Sequence, residues 1–84
     1  MIQYDVVFHR TVVNFLLSRP SRERRQFVQF FDGLSNDPFQ TGEFEITDVT
    51  GRQLQVRRIG GARVTFWSDH AVKEVHITDI ERVR

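Results

Sequence analysis

Apolar and polar residues alternate strictly in three stretches of the C-terminal half of the chain, at residues 53–57, 63–67 and 75–78. A period of two is typical of a β-strand that has one apolar and one polar face. The pattern therefore predicts strands of one antiparallel sheet. The residues predicted on its apolar face are Leu54, Val56, Val64, Phe66, Val75 and Ile77.

The opposite face of this predicted sheet carries the candidate chemistry. We expect it to be cationic and to include one imidazole and one large exposed indole ring. Such a surface suits a partner that is rich in phosphate or bears nucleobases. The residues predicted on this face are Gln53, Gln55, Arg57, Arg63, Thr65, Trp67, His76 and Thr78.

Residues 1–9 predict a further strand. Ile2, Tyr4, Val6 and Phe8 share one face, while Val7 lies on the other. Because both faces carry an apolar residue, we expect this strand to lie inside the sheet rather than at its edge. If it pairs in parallel with a later strand, the segment between them serves as the crossover connection.

That segment changes to a helical period. Residues 11–17 predict a short helix, and Pro20 ends it and opens a second one that Ser18 or Ser21 is expected to cap. The second helix carries an amphipathic stripe that we expect to be core, and residues 35–38 end it. The residues of that stripe, at spacings of three and four, are Phe27, Phe30, Phe31 and Leu34.

Four strand candidates follow, at residues 43–48, 53–59, 63–67 and 71–78, with turn signals between them. The predicted fold is therefore α+β and two-layered: an N-terminal strand, a helical hairpin, then a four-stranded antiparallel sheet, in the order β-αα-ββββ. A length of 84 residues predicts one domain that spans residues 1–84.

Composition narrows the chemistry. The net charge is only +1, so an electrostatic argument depends on where the charges lie. The chain has no cysteine, which excludes disulfides, thiolate metal sites and a cysteine nucleophile. Asp69 and His70 form too short a cluster for a metal, so no metal or other cofactor is expected. No apolar run has the length of a membrane span, and the chain is predicted to be cytoplasmic, without a membrane partner.

The order of elements and several motifs resemble the RelE/ParE superfamily of bacterial toxins. Family members open with a strand like residues 4–9, continue with a helical hairpin, and show a segment like residues 37–42 ahead of the sheet. The strongest match runs from residue 51 to residue 69 and covers a glycine, a strand that ends in arginine, a short turn, a second arginine and an acidic turn. The residues that carry it are Gly51, Arg57, Arg58, Gly60, Gly61, Arg63 and Asp69.

The resemblance implies the toxin of a type II toxin–antitoxin module, neutralised by a cognate antitoxin. Its ribosome-dependent endoribonuclease members cleave mRNA, which requires cations at the scissile phosphate and an acid or base at the ribose. The residues that the resemblance assigns to catalysis are Arg63, His76 and Arg82, and those it assigns to substrate binding are Gln55, Arg57 and Trp67.

Alternatives remain open at this point. The ParE-type branch implies a gyrase-directed toxin without catalysis, and a third possibility is a non-toxic relative that binds protein. Ribonuclease members often carry lysines where this chain has Gln53 and Gln55. Arg63 is also explained by a cross-strand ion pair with Glu74, and Trp67 by closure of the core edge. Arginines at residues 22–25 oppose the dipole of the second helix, which makes sense if an acidic partner docks there.

Overall fold

The computed structural model describes residues 3–83 and contains one five-stranded sheet with two helices packed on one face. This architecture confirms the predicted α+β fold and its order of elements. The elements are β1 (Asp5–Phe8), α1 (Arg10–Leu17), α2 (Ser21–Asn36), β2 (Phe44–Thr47), β3 (Gln53–Ile59), β4 (Ala62–Asp69) and β5 (Glu74–Arg82).

The first strand lies at an edge of the sheet. The strand order is β1-β5-β4-β3-β2, and β1 runs parallel to β5. The prediction that this strand lies inside the sheet was therefore wrong. Val7, the apolar residue that suggested it, is half-buried beside His76, and among residues 3–83 no strand pairs with the other edge of β1. Ile2, which was predicted on the same strand, lies outside the described residues. The parallel pairing makes the helical hairpin part of the crossover connection, as expected.

The helices begin close to the predicted residues, but their caps differ from the prediction. The N-cap of α2 is Pro20, whose fixed φ of −60° suits a helix start, and no side chain caps this helix. Ser18 instead ends α1, where its hydroxyl donates to the Phe15 carbonyl oxygen at 2.7 Å. Neither Ser18 nor Ser21 therefore has the predicted role. Within residues 3–83, no helix has the length and apolarity needed to cross a bilayer.

The core lies between the helical hairpin and the sheet. Phe27, Phe31 and Leu34 are buried and Phe30 is half-buried, which confirms the predicted apolar stripe of α2. They pack against β4 and β5, whose inward residues include Val64, Phe66, Val75, Ile77 and Ile80. Burial of a side chain of this size stabilises the fold by roughly 1.5–3 kcal/mol.

In β3, the residues that face the helices are the ones predicted to face away from them. The two-residue turn Gly60-Gly61 sets Ile59 opposite Ala62, so Gln55 lies opposite Phe66. Directly paired residues share a face of the sheet, and Phe66 faces the helices. Leu54 and Val56 therefore point away from the helices, where they pair with Ile46 and Phe44 of β2. Their predicted place beside Val64 and Phe66 was wrong.

A register shift in the pairing of β4 with β5 determines which residues at the end of β5 face the helices. Thr65 lies opposite Asp79 and Phe66 lies opposite Ile77, so Thr78 is an extra residue of β5. The shift turns Ile80 towards the helices, where it is buried. The strand therefore continues to Arg82, beyond the end predicted at residue 78.

Candidate functional site

The sheet face turned away from the helices is here named the open face. Cross-strand pairs assign its members, because each pair shares one side of the sheet. Its residues are Asp5, Val7, Phe44, Ile46, Leu54, Val56, Arg58, Arg63, Thr65, Trp67, Asp69, Glu74, His76, Asp79 and Glu81.

The structure divides the six predicted site residues between the two faces. Three of them, Arg63, Trp67 and His76, lie on the open face. The other three, Gln55, Arg57 and Arg82, lie on the side of the helices, because they pair with Phe66, Val64 and Ala62. The predicted single polar surface is therefore not formed, although the chemical role of each residue stays a prediction.

Trp67 is the centre of a stack on the open face. Its ring stacks on the His76 ring with centroids 4.6 Å apart and planes 8° apart. The Arg52 guanidinium lies 3.9 Å from the indole centroid. Because β3 and β5 flank β4 on opposite sides, Arg52 and His76 cover the two faces of the indole. The predicted stacking of a nucleobase on Trp67 stays a prediction, and it requires that one of these neighbours move.

A tight turn positions Arg52 for this stack. The Asp48 carboxylate accepts hydrogen bonds from the Thr50 hydroxyl at 2.6 Å, the Thr50 amide at 2.9 Å and the Arg52 amide at 3.0 Å. These bonds, that of the Thr50 hydroxyl above all, hold the pKa of Asp48 below its ordinary value. Gly51 completes the turn with a φ of +88°, a conformation that favours glycine.

His76 is anchored on both sides. Its Nε2 atom lies 3.2 Å from the Glu74 carboxylate, and Trp67 covers the ring face, so the side chain is only 20% exposed. A nearby carboxylate orients an imidazole. The arrangement allows proton transfer to a group that approaches the ring edge.

Arg63 forms an ion pair with Glu81, at 2.5 Å between Nη2 and Oε1. The register places Glu81 directly opposite Arg63 and Glu74 opposite Asp69. The expected pair of Arg63 with Glu74 was therefore wrong. Both partners are exposed, and such pairs contribute about 0–1 kcal/mol to stability. On its other side Arg63 lies opposite Arg58, so two guanidinium groups are neighbours on the open face.

Arg63 and His76 lie at opposite ends of the open face. His76 is opposite Trp67, which is four residues along β4 from Arg63. At about 3.3 Å per residue, this spacing separates the two positions by about 13 Å along the strand. The two side chains therefore do not converge on one reacting atom in this structure.

The residues on the helix side have other contacts. Gln55 accepts a hydrogen bond from the Gly42 amide at 2.8 Å and donates to Glu45 at 2.7 Å, so it ties residues 42–45 to β3. The Arg57 guanidinium lies 5.5 Å from the Phe30 centroid, which is a cation–π contact. Arg82 lines a groove at the far end of the sheet.

The sequence interpretation missed an apolar strip on the open face, formed by Phe44, Ile46, Leu54 and Val56. Phe44 is 48% exposed and Ile46 is 43% exposed. The strip borders a cavity of about 180 Å³ that Arg63, Asp79 and Glu81 also line. The two-residue turn at Gly60-Gly61 was the signal that could have identified the strip, because it sets the phase of β3.

A second missed feature lies where the segment before β2 crosses the sheet. The His70 ring stacks on Phe39 with centroids 4.5 Å apart. Its Nδ1 atom is also hydrogen-bonded to the Tyr4 hydroxyl at 2.8 Å. These contacts border a cavity of about 380 Å³. Among residues 3–83, no three His, Asp or Glu side chains are grouped as a metal site requires.

Comparison with solved structures places this fold among toxins of toxin–antitoxin pairs. A chain of the archaeal RelE–RelB complex from Pyrococcus horikoshii OT3 has a TM-score of 0.79 and 25% identity, with 96% of each chain covered. A chain of the RelBE2 toxin–antitoxin complex from Mycobacterium tuberculosis has a TM-score of 0.76 and 24% identity, covering 96% of this chain and 99% of that one.

The isolated E. coli RelE toxin has the same fold at 11% identity, with a TM-score of 0.69 and coverage of 96% of this chain and 85% of that chain. No protein-family model and no curated protein matches the sequence. The structural similarity confirms the resemblance inferred from the sequence motifs.

Proposed function

Because this chain belongs by fold to the RelE toxin-like superfamily, we propose that it is the toxin of a toxin–antitoxin pair and acts in the cytoplasm. The observation that carries the proposal is the match over 96% of both chains to a structure of a RelE–RelB complex. A cognate antitoxin is then its physiological partner.

The apolar strip of the open face supports this proposal, because its residues on β2, Phe44 and Ile46, are exposed while Leu54 and Val56 beside them are buried. Phe44 and Ile46 lie side by side on the edge strand with no helix over them. Contiguous exposed apolar side chains on a small domain mark a surface that another protein covers. The free edge of β2 offers further unpaired backbone groups to a partner.

We propose that the toxin acts by binding a protein target, and that the open face is the surface it uses. Arg58 and Arg63 are cations of this face, and the Arg52 guanidinium joins them over the Trp67 ring. They are offset by the carboxylates of Asp5, Asp69, Glu74, Asp79 and Glu81. A face of mixed charge with an apolar strip suits a protein better than a polyphosphate chain. DNA gyrase, the target of the ParE-type branch, is one candidate of this class.

Ribosome-dependent cleavage of mRNA is the second candidate, and a specific observation favours it. Arg63 and His76 share the open face, and the His76 ring is oriented by Glu74 and Trp67. An arginine is suited to a phosphate and a histidine to proton transfer. An RNA chain that lies along the sheet would reach both residues, although not with the same phosphate.

Induced expression in a bacterial host distinguishes these proposals. Growth and mRNA 5′ ends would be followed with and without the product of the adjacent reading frame. Arrest that this product relieves, with intact mRNA, supports a toxin that binds a protein target. Arrest with new 5′ ends inside codons favours the ribonuclease. Normal growth at a confirmed level of folded protein contradicts a toxin of either kind.

The apolar strip provides a direct test of the open face. Ile46→Lys is expected to relieve growth arrest, because it places a charge in the middle of the strip that must be desolvated on binding. The fold should persist, since the side chain is already 43% exposed. Val49→Lys is the matched control, because Val49 is fully exposed in the turn after β2. Equal arrest by both variants, at equal protein levels, would exclude the strip from the working surface.

Arg63→Ala tests the ribonuclease candidate. If RNA cleavage causes the arrest, loss of this guanidinium is expected to lower the cleavage rate about 100-fold or more. Thermal unfolding should change little, because the ion pair with Glu81 is exposed. Arg25→Ala, on the exposed start of α2, is the control. Undiminished cleavage by folded Arg63→Ala would remove Arg63 from the chemistry.

A further inference from the structure

A groove on the helix side of the sheet has no role in the proposed activity. It lies where the junction of α1 and α2 meets the turn between β3 and β4, and it encloses about 240 Å³. Phe15, Phe27 and Ala62 are its apolar lining. The two aromatic rings meet edge to face with centroids 5.8 Å apart, an arrangement that aromatic pairs prefer. We call this site the junction groove.

Two guanidinium groups border the junction groove. Arg19 lies with its guanidinium 5.2 Å from the Phe15 centroid, and its side chain is only 22% exposed. Within residues 3–83, the one carboxylate at ion-pair distance from it is Glu23, at 3.9 Å, which is too long for a hydrogen bond. Arg82 borders the same groove from β5 and is exposed. Among residues 3–83, no carboxylate lies within ion-pair distance of Arg82.

The turn between β3 and β4 leaves the groove open. Both residues of this turn are glycine, and both border the groove. A Cβ atom at Gly61 would meet no atom within 4 Å. A methyl group at this position would therefore add to the rim without overlapping the protein.

We propose that the junction groove binds a segment of the antitoxin in which a bulky apolar side chain lies next to a carboxylate. The apolar side chain would lie on the half-buried ring of Phe15, which meets the buried Phe27 ring edge to face. The carboxylate would lie between Arg19 and Arg82. This inference rests on the proposed function, because it assigns a surface to the antitoxin of that pair. The apolar lining and the Glu23 carboxylate at the rim disfavour a nucleic-acid backbone.

The groove and the open face lie on opposite sides of the sheet. Arg82 pairs with Ala62, which faces the helices, whereas the neighbouring pair of Arg63 and Glu81 lies on the open face. An antitoxin that occupies the groove would therefore hold the toxin at a site separate from the toxin's working surface.

The test uses the full chain and the product of the adjacent reading frame as the antitoxin. Complex formation would be measured by calorimetric titration with nuclease-treated proteins. Gly61→Leu, which fills the rim, and Arg82→Glu, which reverses its charge, are each expected to raise the dissociation constant about tenfold or more. Arg10→Glu is the control, because it makes the same charge change on the exposed first residue of α1, outside the groove. Its dissociation constant should stay within about twofold of the wild-type value.

The outcomes separate this inference from the proposed function. Absence of binding by the wild-type chain would overturn the antitoxin partnership and the groove assignment with it. Tight wild-type binding that both groove variants retain would overturn the groove assignment alone. Circular dichroism of each variant shows whether it is folded, and two variants with unrelated chemistry keep the test decisive if one of them does not fold.

Discussion

Phe66→Ala is expected to lower the free energy of unfolding by about 4 kcal/mol, because truncation of a buried phenylalanine removes its transfer energy and leaves a cavity. Phe66 is 1% exposed in the middle of β4, and its ring meets that of Phe30 edge to face with centroids 5.6 Å apart. A domain of 84 residues has a total stability of roughly 4–13 kcal/mol, at roughly 0.05–0.15 kcal/mol per residue. The substitution therefore removes a large part of the stability, and a marginal fold would be lost.

Urea unfolding followed by far-ultraviolet circular dichroism measures this effect. Phe39→Ala is the control, because the Phe39 side chain is 71% exposed and has its ring contact with His70 at the surface. We expect this control to lose about 1 kcal/mol or less. If the two variants lost equal stability, Phe66 would not be a central residue of the core.

Gly42→Ala is expected to lower the free energy of unfolding by about 3 kcal/mol, through overlap that the backbone cannot relieve. A Cβ atom at this position would overlap the Val56 carbonyl oxygen and lie 2.7 Å from the carbonyl carbon and the amide nitrogen of the same residue. The approach is held by hydrogen bonds on both sides of the glycine. The Gly42 amide donates to Gln55 at 2.8 Å, and the Glu43 amide donates to the Val56 carbonyl at 2.8 Å.

Thermal unfolding tests the Gly42 prediction. For a domain of this size, 1 kcal/mol corresponds to roughly 4–8 °C, so the expected drop in Tm is roughly 12–24 °C. Gly61→Ala is the control, since its Cβ atom would meet nothing within 4 Å and its φ lies outside the left-handed region. This control should be neutral or stabilise the fold by up to about 1 kcal/mol, because alanine restricts the unfolded chain. A Tm shift of Gly42→Ala no larger than that of the control would contradict the close approach.

Local patterns were sufficient to predict most elements. The stripe of Phe27, Phe31 and Leu34 predicted α2 and its buried face, and Pro20 marked the start of that helix. These signals can be read from one stretch of sequence, because the spacing of apolar residues within a helix defines its buried face. The fold class followed from the order of these elements, since a helical hairpin ahead of a run of strands has few ways to bury its apolar face.

The candidate site was predicted less well. Alternation in a strand shows that two sets of residues lie on opposite faces, but the local sequence does not show which set faces the helices. In β3 the apolar residues of the alternating stretch are Leu54 and Val56, but it is Gln55 and Arg57 that face the helices. The Gly60-Gly61 turn makes odd residues of β3 pair with even residues of β4. Reading the register through that turn would have revealed the apolar strip and separated Arg57 from Arg63.

The sequence by itself determined the strands, the helices, the core stripe of α2 and the fold class, because each depends on residue spacing within one element. Only the tertiary structure decided which surface each chemical group occupies. The turn at Gly60-Gly61 set the phase of β3, and the extra residue Thr78 set the phase of the end of β5. Arg82 therefore borders the junction groove, while Arg63 lies on the open face. A shift of one residue in strand pairing moves every later side chain to the other face, so the site depends on pairing between strands that no single stretch of sequence contains.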